Sequence, residues 1–141
     1  MKSEKLKIKS EEWMRIWVDK NVVLDKSKEF AFRIIRLYQH LSEKSEYILS
    51  KQILRSGTSI GANLVESQYS ISKKEFISKA QISLKETAET LYWLELLLKG
   101  EYIKDAEYKS MEKDCKEILF LLTAIIKSSK KSLKKFDAWM F

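Results

Sequence analysis

Residues that break helices are almost absent from this chain, and their absence constrains the fold more than any other feature. The 141 residues include no proline and three glycines, Gly57, Gly61 and Gly100. A sandwich or a barrel needs many turns, which proline and glycine usually supply. The sequence therefore predicts an all-α chain with few connections and long helices. The length suits one domain, which can bury roughly 68% of its unfolded surface without a metal or a disulfide.

Apolar residues recur at spacings of three and four in four segments, which is the period of an α-helix. The stripes are, in order, Phe30, Ile34, Leu37 and Leu41; Leu49, Ile53, Ser56, Ile60 and Leu64 (or Asn63); Phe76 or Ile77, Ala80, Leu84, Ala88 (with Thr87), Leu91, Glu95 (with Leu94) and Leu98; and Tyr108, Met111, Cys115, Ile118, Leu122, Ile125 and Ser129. We expect the first helix to begin near Asp25 or Ser27 and the second to span about 46–69. Short connections between amphipathic helices predict an antiparallel up-down-up-down four-helix bundle.

Both ends of the third helix carry specific signals. Ser72 followed by Glu75 is a capping-box pattern, which predicts the start of the helix. Gly100 after Lys99 predicts its end, because glycine is common just past the last helical turn. The segment 91–98 is apolar on more than one face, which is typical of a helix that also contacts a second subunit.

A run of small residues, Arg55-Ser-Gly-Thr-Ser-Ile-Gly-Ala-Asn63, lies in the middle of the second helical pattern. Its residue types are typical of a loop, whereas the unbroken apolar stripe favours a helix interior, which is our prediction. Two interior glycines cost roughly 1 kcal/mol each relative to alanine. Because Gly57 and Gly61 are four residues apart, both face one side, and close packing against a neighbouring helix would offset that cost.

The two ends of the chain differ from the segment between them. We assign a tail with a tryptophan cluster to residues 1–20, the four-helix bundle to 21–131 and a second tail to 132–141. Residues 1–12 are polar and are expected to be mobile. The apolar cluster from Trp13 to Val18 is expected to pack on the bundle or on a neighbouring subunit. An interfacial membrane anchor is the alternative, but acidic residues on both sides of the cluster disfavour it.

Positive charge is concentrated at both ends. The formal net charge is +7, from 27 basic and 20 acidic residues. Residues 1–10 contain four lysines and one glutamate, and residues 127–135 contain five lysines and no acid. Such ends can attract nucleic acid, or they can be solvated segments in which lysine complements the helix dipole. The candidate nucleic-acid contacts are Arg33, Arg36, Lys51, Arg55, Lys73, Lys74, Lys79, Lys127, Lys130, Lys131, Lys134 and Lys135.

Binding to nucleic acid would depend mainly on the phosphate backbone. The sequence has no helix-turn-helix or zinc-finger signature, and base contacts are what specify a sequence. Backbone contacts need only mobile cations, so the predicted affinity for RNA or DNA falls steeply with salt.

The single cysteine, Cys115, cannot form an intrachain disulfide and fits a reducing compartment. The first twelve residues lack the apolar core of a secretory signal. No run approaches 18 apolar residues, so no membrane-spanning helix is expected. We predict a cytoplasmic protein with no membrane contact.

No motif in the sequence indicates catalysis or metal binding. A di-iron site in a bundle needs Glu-x-x-His pairs, whereas the only histidine, His40, follows Leu37 at that spacing and is expected at a helix end or on the surface. Cys115 lies on the apolar stripe of the fourth helix and is predicted to be a small core residue. No Gly-Lys-Ser/Thr sequence follows the glycines, which excludes a phosphate-binding loop. We predict no metal, no cofactor and no enzymatic activity.

A polar cluster is predicted between the second and third helices. Its members are Arg55, Ser59, Asn63, Glu86 and Glu89. The main interpretation is a structural network that fixes helix register. A ligand pocket is an alternative, and acid–base catalysis is a further one that no substrate signal supports.

Two runs of sequence resemble a known family. These are Ser50-Lys-Gln-Ile-Leu-Arg-Ser-Gly-Thr-Ser-Ile-Gly-Ala-Asn-Leu-Val-Glu-Ser67 and Ser72-Lys-Lys-Glu-Phe-Ile-Ser-Lys-Ala-Gln-Ile-Ser-Leu-Lys-Glu-Thr-Ala-Glu-Thr-Leu-Tyr-Trp-Leu94. They are similar to the signature of the four-helix-bundle proteins encoded in intervening sequences of bacterial 23S ribosomal RNA genes. Residues 21–41 also look like the first helix of that family, so the resemblance covers about 20–130. The accessory variability determinants of diversity-generating retroelements are relatives with the same fold.

The resemblance implies a homopentamer of four-helix bundles and a role in nucleic-acid binding. For the retroelement relatives it implies contact with a reverse transcriptase and RNA, and for most members it implies no established activity. We therefore predict a non-enzymatic homo-oligomer that binds RNA or DNA backbone through its basic surface. The alternative is a protein–protein interaction scaffold or accessory subunit, acting through the Trp93–Leu98 face or the tails, with no nucleic-acid role.

Overall fold

The computed structural model describes the backbone of residues 2–140 and the side chains of residues 10–135, 137 and 138. The described chain folds into four helices. The helices are α1 (Lys2–Glu43), α2 (Leu49–Ser67), α3 (Lys73–Lys99) and α4 (Asp105–Met140). Connections of five residues join them, and no strand occurs in the described backbone. The chain is therefore all-α, as predicted.

The helices pack in a closed order around one core. Helix α1 contacts α2 and α4, and α3 contacts the same two helices. Apolar side chains from all four helices meet between them, and the largest fully buried ones include Phe30, Ile34, Ile60, Leu94 and Leu122. This arrangement is a helical bundle.

Helix α1 begins at Lys2, so the prediction of a start near Asp25 or Ser27 is wrong. Ser27 is fully buried in the helix interior, and its Oγ donates a hydrogen bond of 2.7 Å to the carbonyl of Leu24. The helix extends toward the N-terminus because its earlier turns have their own core contacts: Ile16 is buried, and Trp13 packs against the core. Two members of the tryptophan cluster, Trp13 and Ile16, thus pack on the bundle, whereas Met14, Trp17 and Val18 are exposed. Residues 2–12, expected to be mobile, are helical, and Met1 lies outside the described residues.

The predicted boundaries between the bundle and its two tails, at residues 20 and 131, fall inside helices. Helix α1 passes residue 20 and α4 passes residue 131 without a break in the described backbone. The division into a bundle and two tails stays a prediction about folding units.

Glu46 caps the start of α2, three residues before the helix begins at Leu49. Its carboxylate accepts hydrogen bonds from the backbone N–H groups of Ile48 (3.1 Å), Leu49 (2.9 Å) and Ser50 (2.6 Å). These are N–H groups that a helix start otherwise leaves without partners. Burial opposes ionisation of this carboxyl group, but the three backbone donors outweigh it and lower the pKa of Glu46.

Replacing Glu46 with glutamine should lower the free energy of unfolding at pH 7 by about 1–2 kcal/mol, because a charged cap is lost. A lowered pKa means that the unfolded chain binds the proton more readily, so this stabilisation is present above the ordinary value of 4.5 and is lost as the pH falls through the folded-state pKa. Urea melts of the parent and of Glu46→Gln should therefore give different free energies of unfolding at pH 7 and equal ones in acid. Glu43→Gln, which changes an exposed glutamate, is the control. A difference in unfolding free energy between the parent and Glu46→Gln that stays constant across pH would refute the role of Glu46 as a charged cap.

The small-residue run 55–63 lies within α2, which confirms the prediction of a helix interior. Both of its glycines face α1. A Cβ added at Gly57 would lie 2.7 Å from Cγ1 of Ile34, and one added at Gly61 would lie 3.1 Å from Oγ of Ser27. Carbon atoms normally approach to about 3.5–4.0 Å, so side chains at these positions would force the two helices apart.

Helix α3 starts and ends where the sequence predicts. Ser72 Oγ accepts a 3.0 Å hydrogen bond from the backbone N–H of Glu75, and the Glu75 carboxylate accepts one from Ile71. Gly100 is the C-cap, but it has right-handed backbone angles. The left-handed residue after this helix is Glu101, with φ of 63°.

The second half of the predicted α3 stripe is displaced by one position. The buried residues are Ser83, Thr87, Thr90, Leu94 and Leu97, whereas Ala88 and Glu95 are exposed. Hydroxyl residues can occupy this core because they have partners: Ser83 Oγ donates to the carbonyl of Ile60 (2.8 Å), and Thr90 Oγ1 donates to Ser56 Oγ (2.9 Å). A stripe counted from apolar residues misses them.

The predicted stripe of α4 is confirmed: its members from Met111 to Ser129 are buried, and its first member, Tyr108, is half-buried. The helix continues to Met140 and buries Ser132, so residues 132–140 of the segment assigned to a C-terminal tail are helical, and Phe141 lies outside the described residues.

Candidate nucleic-acid interface

The C-terminal half of α4 presents a row of lysines on its outer face. Lys127, Lys130, Lys131 and Lys134 are exposed, whereas Ser129 and Ser132 between them are buried. At 3.6 residues per turn, the five lysines from Lys127 to Lys135 fall within an arc of about 140°. The helix therefore directs this charge away from the core.

One lysine of this row pairs with α1. Lys135 Nζ lies 2.9 Å from Oε1 of Glu12, and Ser132 Oγ donates to the other carboxylate oxygen at 2.9 Å. The hydrogen bonds from Lys135 and Ser132 lower the pKa of Glu12, with a smaller contribution from the charge of Lys131. Among the described side chains, no ion pair involves Lys127, Lys130, Lys131 or Lys134. The charge of Lys127, Lys130 and Lys134 is therefore available to an external anion, whereas Lys131 also acts on Glu12.

Two of the other candidate cations are paired within the chain. Arg33 forms an ion pair with Asp114 and hydrogen-bonds to Ser110, and Lys79 lies 2.8 Å from a carboxylate oxygen of Glu66. These contacts reduce the charge that either residue can offer to a phosphate. Exposed candidates without an ion pair among the described side chains are Arg36, Lys51, Arg55 and Lys74.

The candidates do not form one continuous patch. Lys135 contacts Glu12, and Lys73 contacts the ring of Trp13, the residue after Glu12 in α1. Lys73 and Lys135 therefore lie at the same end of the bundle. Arg33 instead contacts Ser110, near the start of α4. The α4 lysines, with Lys73 and Lys74, are therefore the group that the fold brings to one end.

The predicted polar cluster is only partly assembled. Burial raises the pKa of Glu86, the neighbouring Glu89 raises it further, and the charge of Arg55 opposes both. Ser59 and Asn63 instead bond to their own helix: Ser59 Oγ donates to the carbonyl of Arg55 (2.6 Å), and Asn63 Nδ2 donates to that of Ser59 (2.8 Å). The described side chains show no ion pair between Arg55 and either glutamate.

The remaining sequence candidates have structural positions. Cys115 is buried in the core, and burial raises the pKa of its thiol to about 12, which makes it a poor nucleophile. His40 is half-buried in the last turn of α1. Within the described part of the chain, no three His, Cys, Asp or Glu residues are grouped to hold a metal. No helix there is both long and apolar enough to cross a membrane.

An aromatic groove between α1 and α3 is a feature that sequence reasoning missed. Lys73 Nζ lies 4.5 Å from the ring centroid of Trp13, and Lys20 Nζ lies 5.3 Å from that of Phe76. Trp13, Trp17 and Lys20 share one face of α1 because their spacings are four and three. That spacing was the available signal, but the partners on α3 are more than fifty residues away.

Fold and surface together define an all-α helical-bundle protein with a basic, exposed helix end. Residues 19–124 match the family profile described as 23S rRNA-intervening sequence protein, and the chain belongs to that family. This confirms the resemblance carried by the runs 50–67 and 72–94.

A solved structure supports the same assignment. It is a crystal structure of a protein with unknown function from the S23 ribosomal protein family of Bacteroides thetaiotaomicron. It is 55% identical in sequence with a TM-score of 0.76, and the match covers 77% of this chain and 98% of that one. The comparison with curated proteins finds no match. The family profile begins after Trp17 and ends before Lys127, so the tryptophan cluster and the α4 lysine row lie outside it.

Proposed function

We propose that this protein is a non-enzymatic, cytoplasmic, homo-oligomeric helical bundle that binds the backbone of RNA or DNA. The observation that carries the proposal is the row of exposed α4 lysines, four of which have no ion pair among the described side chains. Cations at helical spacing can follow a phosphate backbone without reading bases. Membership of a family named for ribosomal RNA intervening sequences supports a nucleic-acid context.

We propose an antiparallel up-down-up-down order for the helices. Three ion pairs join α1 to α4: Glu12 with Lys135, Lys26 with Glu117 and Arg33 with Asp114. The residue number rises along α1 as it falls along α4. The same reversal occurs across α2 and α3, where Ser56, Ile60 and Glu66 bond to Thr90, Ser83 and Lys79. These pairs support the order.

We propose that the bundles associate as a homopentamer, the assembly that the family resemblance implies. Large apolar side chains that lie on the surface of one chain support association: Phe32 is 68% exposed and Phe120 is 69% exposed. Apolar surface of this kind often marks a contact between subunits. Five copies of a chain with charge +7 carry +35, which strengthens attraction to a polyanion. Light scattering should give five times the chain mass of 16.7 kDa, and a monomer would refute the assembly.

A gel-shift series with a structured RNA and with duplex DNA tests the binding proposal. Complexes should form at about 50 mM salt and weaken strongly by about 200 mM, because binding releases counterions from the phosphates. Shifts that persist unchanged at high salt would contradict backbone binding. Absence of any shift at low salt would refute a nucleic-acid role.

A scaffold or accessory subunit for another protein, such as a reverse transcriptase, is the second candidate function. The predicted Trp93–Leu98 face offers little free surface, because Leu94 and Leu97 are fully buried and Trp93 packs on the core. The connection between α2 and α3 is the better candidate, since Tyr69 is 80% exposed and Ile71 is 94% exposed. Failure of the gel-shift test would favour this function.

A further inference from the structure

The aromatic groove lies between the N-terminal half of α1 and the start of α3. It is lined by Trp13, Ile16, Trp17, Lys20, Lys73 and Phe76 and has a volume of about 460 Å³. Trp17 is 59% exposed, so most of its indole is open to solvent. Trp13 and Phe76 are more buried, and each has a lysine ammonium over its ring.

The acidic side chains of this part of α1 line a different groove, together with Arg15 and Lys131. Among the residues whose side chains the structure describes, no carboxylate lines the aromatic groove. The acids of the same turns, Glu11, Glu12 and Asp19, line a second groove on the α4 side, where Glu12 is held by Lys135 and Ser132. The aromatic groove therefore combines ring surface with positive charge. That combination is complementary to an anion that carries flat rings.

We propose that the aromatic groove binds single-stranded RNA or DNA, with an unpaired base stacked on Trp17 and the adjoining phosphates near Lys20 and Lys73. This inference rests on the proposed nucleic-acid function and adds the form of nucleic acid that the site takes. An indole can stack on any unpaired base, and neighbouring cations hold the backbone. In a duplex the faces of the bases are covered by their neighbours, so the same groove gains only phosphate contacts.

The groove and the lysine row are neighbours. Lys73 and Lys135 contact consecutive residues of α1, Trp13 and Glu12, from two different sides of the helix. The aromatic groove and the lysine row therefore lie at the same end of the bundle. A neutral apolar peptide would cover the ring surface of the groove but would not be complementary to its positive charge.

Fluorescence anisotropy with a labelled oligouridine of about 12 nucleotides, and with a duplex of similar length, tests the inference. Trp17→Ala should weaken oligouridine binding by about tenfold or more and change duplex binding by about twofold or less. Trp17→Phe, which keeps an aromatic face, should retain most of the affinity. Trp17→Leu, which is apolar without a ring, should behave like Trp17→Ala. Tyr47→Ala is the matched control, because Tyr47 is a comparably exposed aromatic, 55% exposed, in the connection between α1 and α2 and outside the groove.

The outcomes separate the inference from the function on which it rests. If the parent binds both probes and Trp17→Ala binds oligouridine equally well, the groove is not the site, while backbone binding survives. If Trp17→Leu binds like the parent, the contact is apolar rather than stacked and the inference fails. If the parent binds neither probe, the proposed function and the inference fail together. Thermal melts of each variant show that Trp17, an exposed residue, has been replaced without loss of the fold.

Discussion

Replacing Gly57 with leucine is expected to lower the free energy of unfolding by about 3 kcal/mol, an effect typical of severe overpacking. The Cβ alone would lie 2.7 Å from Cγ1 and 2.9 Å from Cγ2 of Ile34, a fully buried residue of α1. These two atoms are joined directly to the Ile34 Cβ and cannot swing aside as the tip of a long side chain could. Helices α1 and α2 would have to separate, which would open the core. Denaturant melts followed by circular dichroism measure the loss.

Two further variants show whether the contact with Ile34 is the cause. Ala62→Leu adds a leucine to the exposed side of the same helix and should change stability by about 0.5 kcal/mol or less. Adding Ile34→Ala to Gly57→Leu should restore part of the lost stability, because it removes the atoms that clash. A Gly57→Leu protein that melts like the parent, or a double variant that is worse by the sum of both changes, would contradict close packing.

Reversing the charge of Lys127, Lys130 and Lys134 together is expected to weaken binding to nucleic acid on the order of 100-fold at low salt. The three side chains are exposed and lie on the face of α4 opposite its buried residues. The fold should therefore survive, while three phosphate contacts become three repulsions. Gel shifts with structured RNA and duplex DNA at about 50 mM salt measure the effect.

A matched variant controls for net charge. Lys99, Lys109 and Lys116 are also exposed, but each lies within 3.7 Å of an acid one turn earlier in its own helix. Reversing these three lysines changes the charge of the chain by the same amount and should weaken binding far less. Equal losses in both triple variants would show that the total charge matters and that the α4 row has no special role.

Local periodicity predicted most of the helical fold. The stripe of α4 and the helical state of 55–63 depend on neighbours three and four residues away, which a sequence displays directly. The first half of α1 was missed because its first turns are polar in sequence and its few core contacts, such as those of Ile16 and Trp13, need partners from other helices. The shift of the α3 stripe has a related cause: Ser83 and Thr90 are buried because α2 supplies hydrogen-bond partners.

Only the part of the candidate interface that lies within one segment of sequence could be predicted. The lysine row of α4 can be read from one segment of sequence. The sequence does not show which cations are already paired, because Arg33 contacts Asp114, 81 residues away, and Lys135 contacts Glu12, 123 residues away. The aromatic groove is also hidden in the sequence, since Lys73 at the start of α3 reaches Trp13 only once the bundle has formed. Helix packing therefore decides which charged and aromatic groups remain available to a partner.

The dependence of binding on salt tests the central claim, that α4 lysines hold a phosphate backbone, most directly. Log affinity should fall linearly with log salt concentration for the parent protein. The slope should be shallower by about 2–3 units for the variant with Lys127, Lys130 and Lys134 reversed, since each lost phosphate contact removes about 0.7–0.9. Parallel lines for parent and variant would contradict the account, because the lysines would then contribute no phosphate contacts.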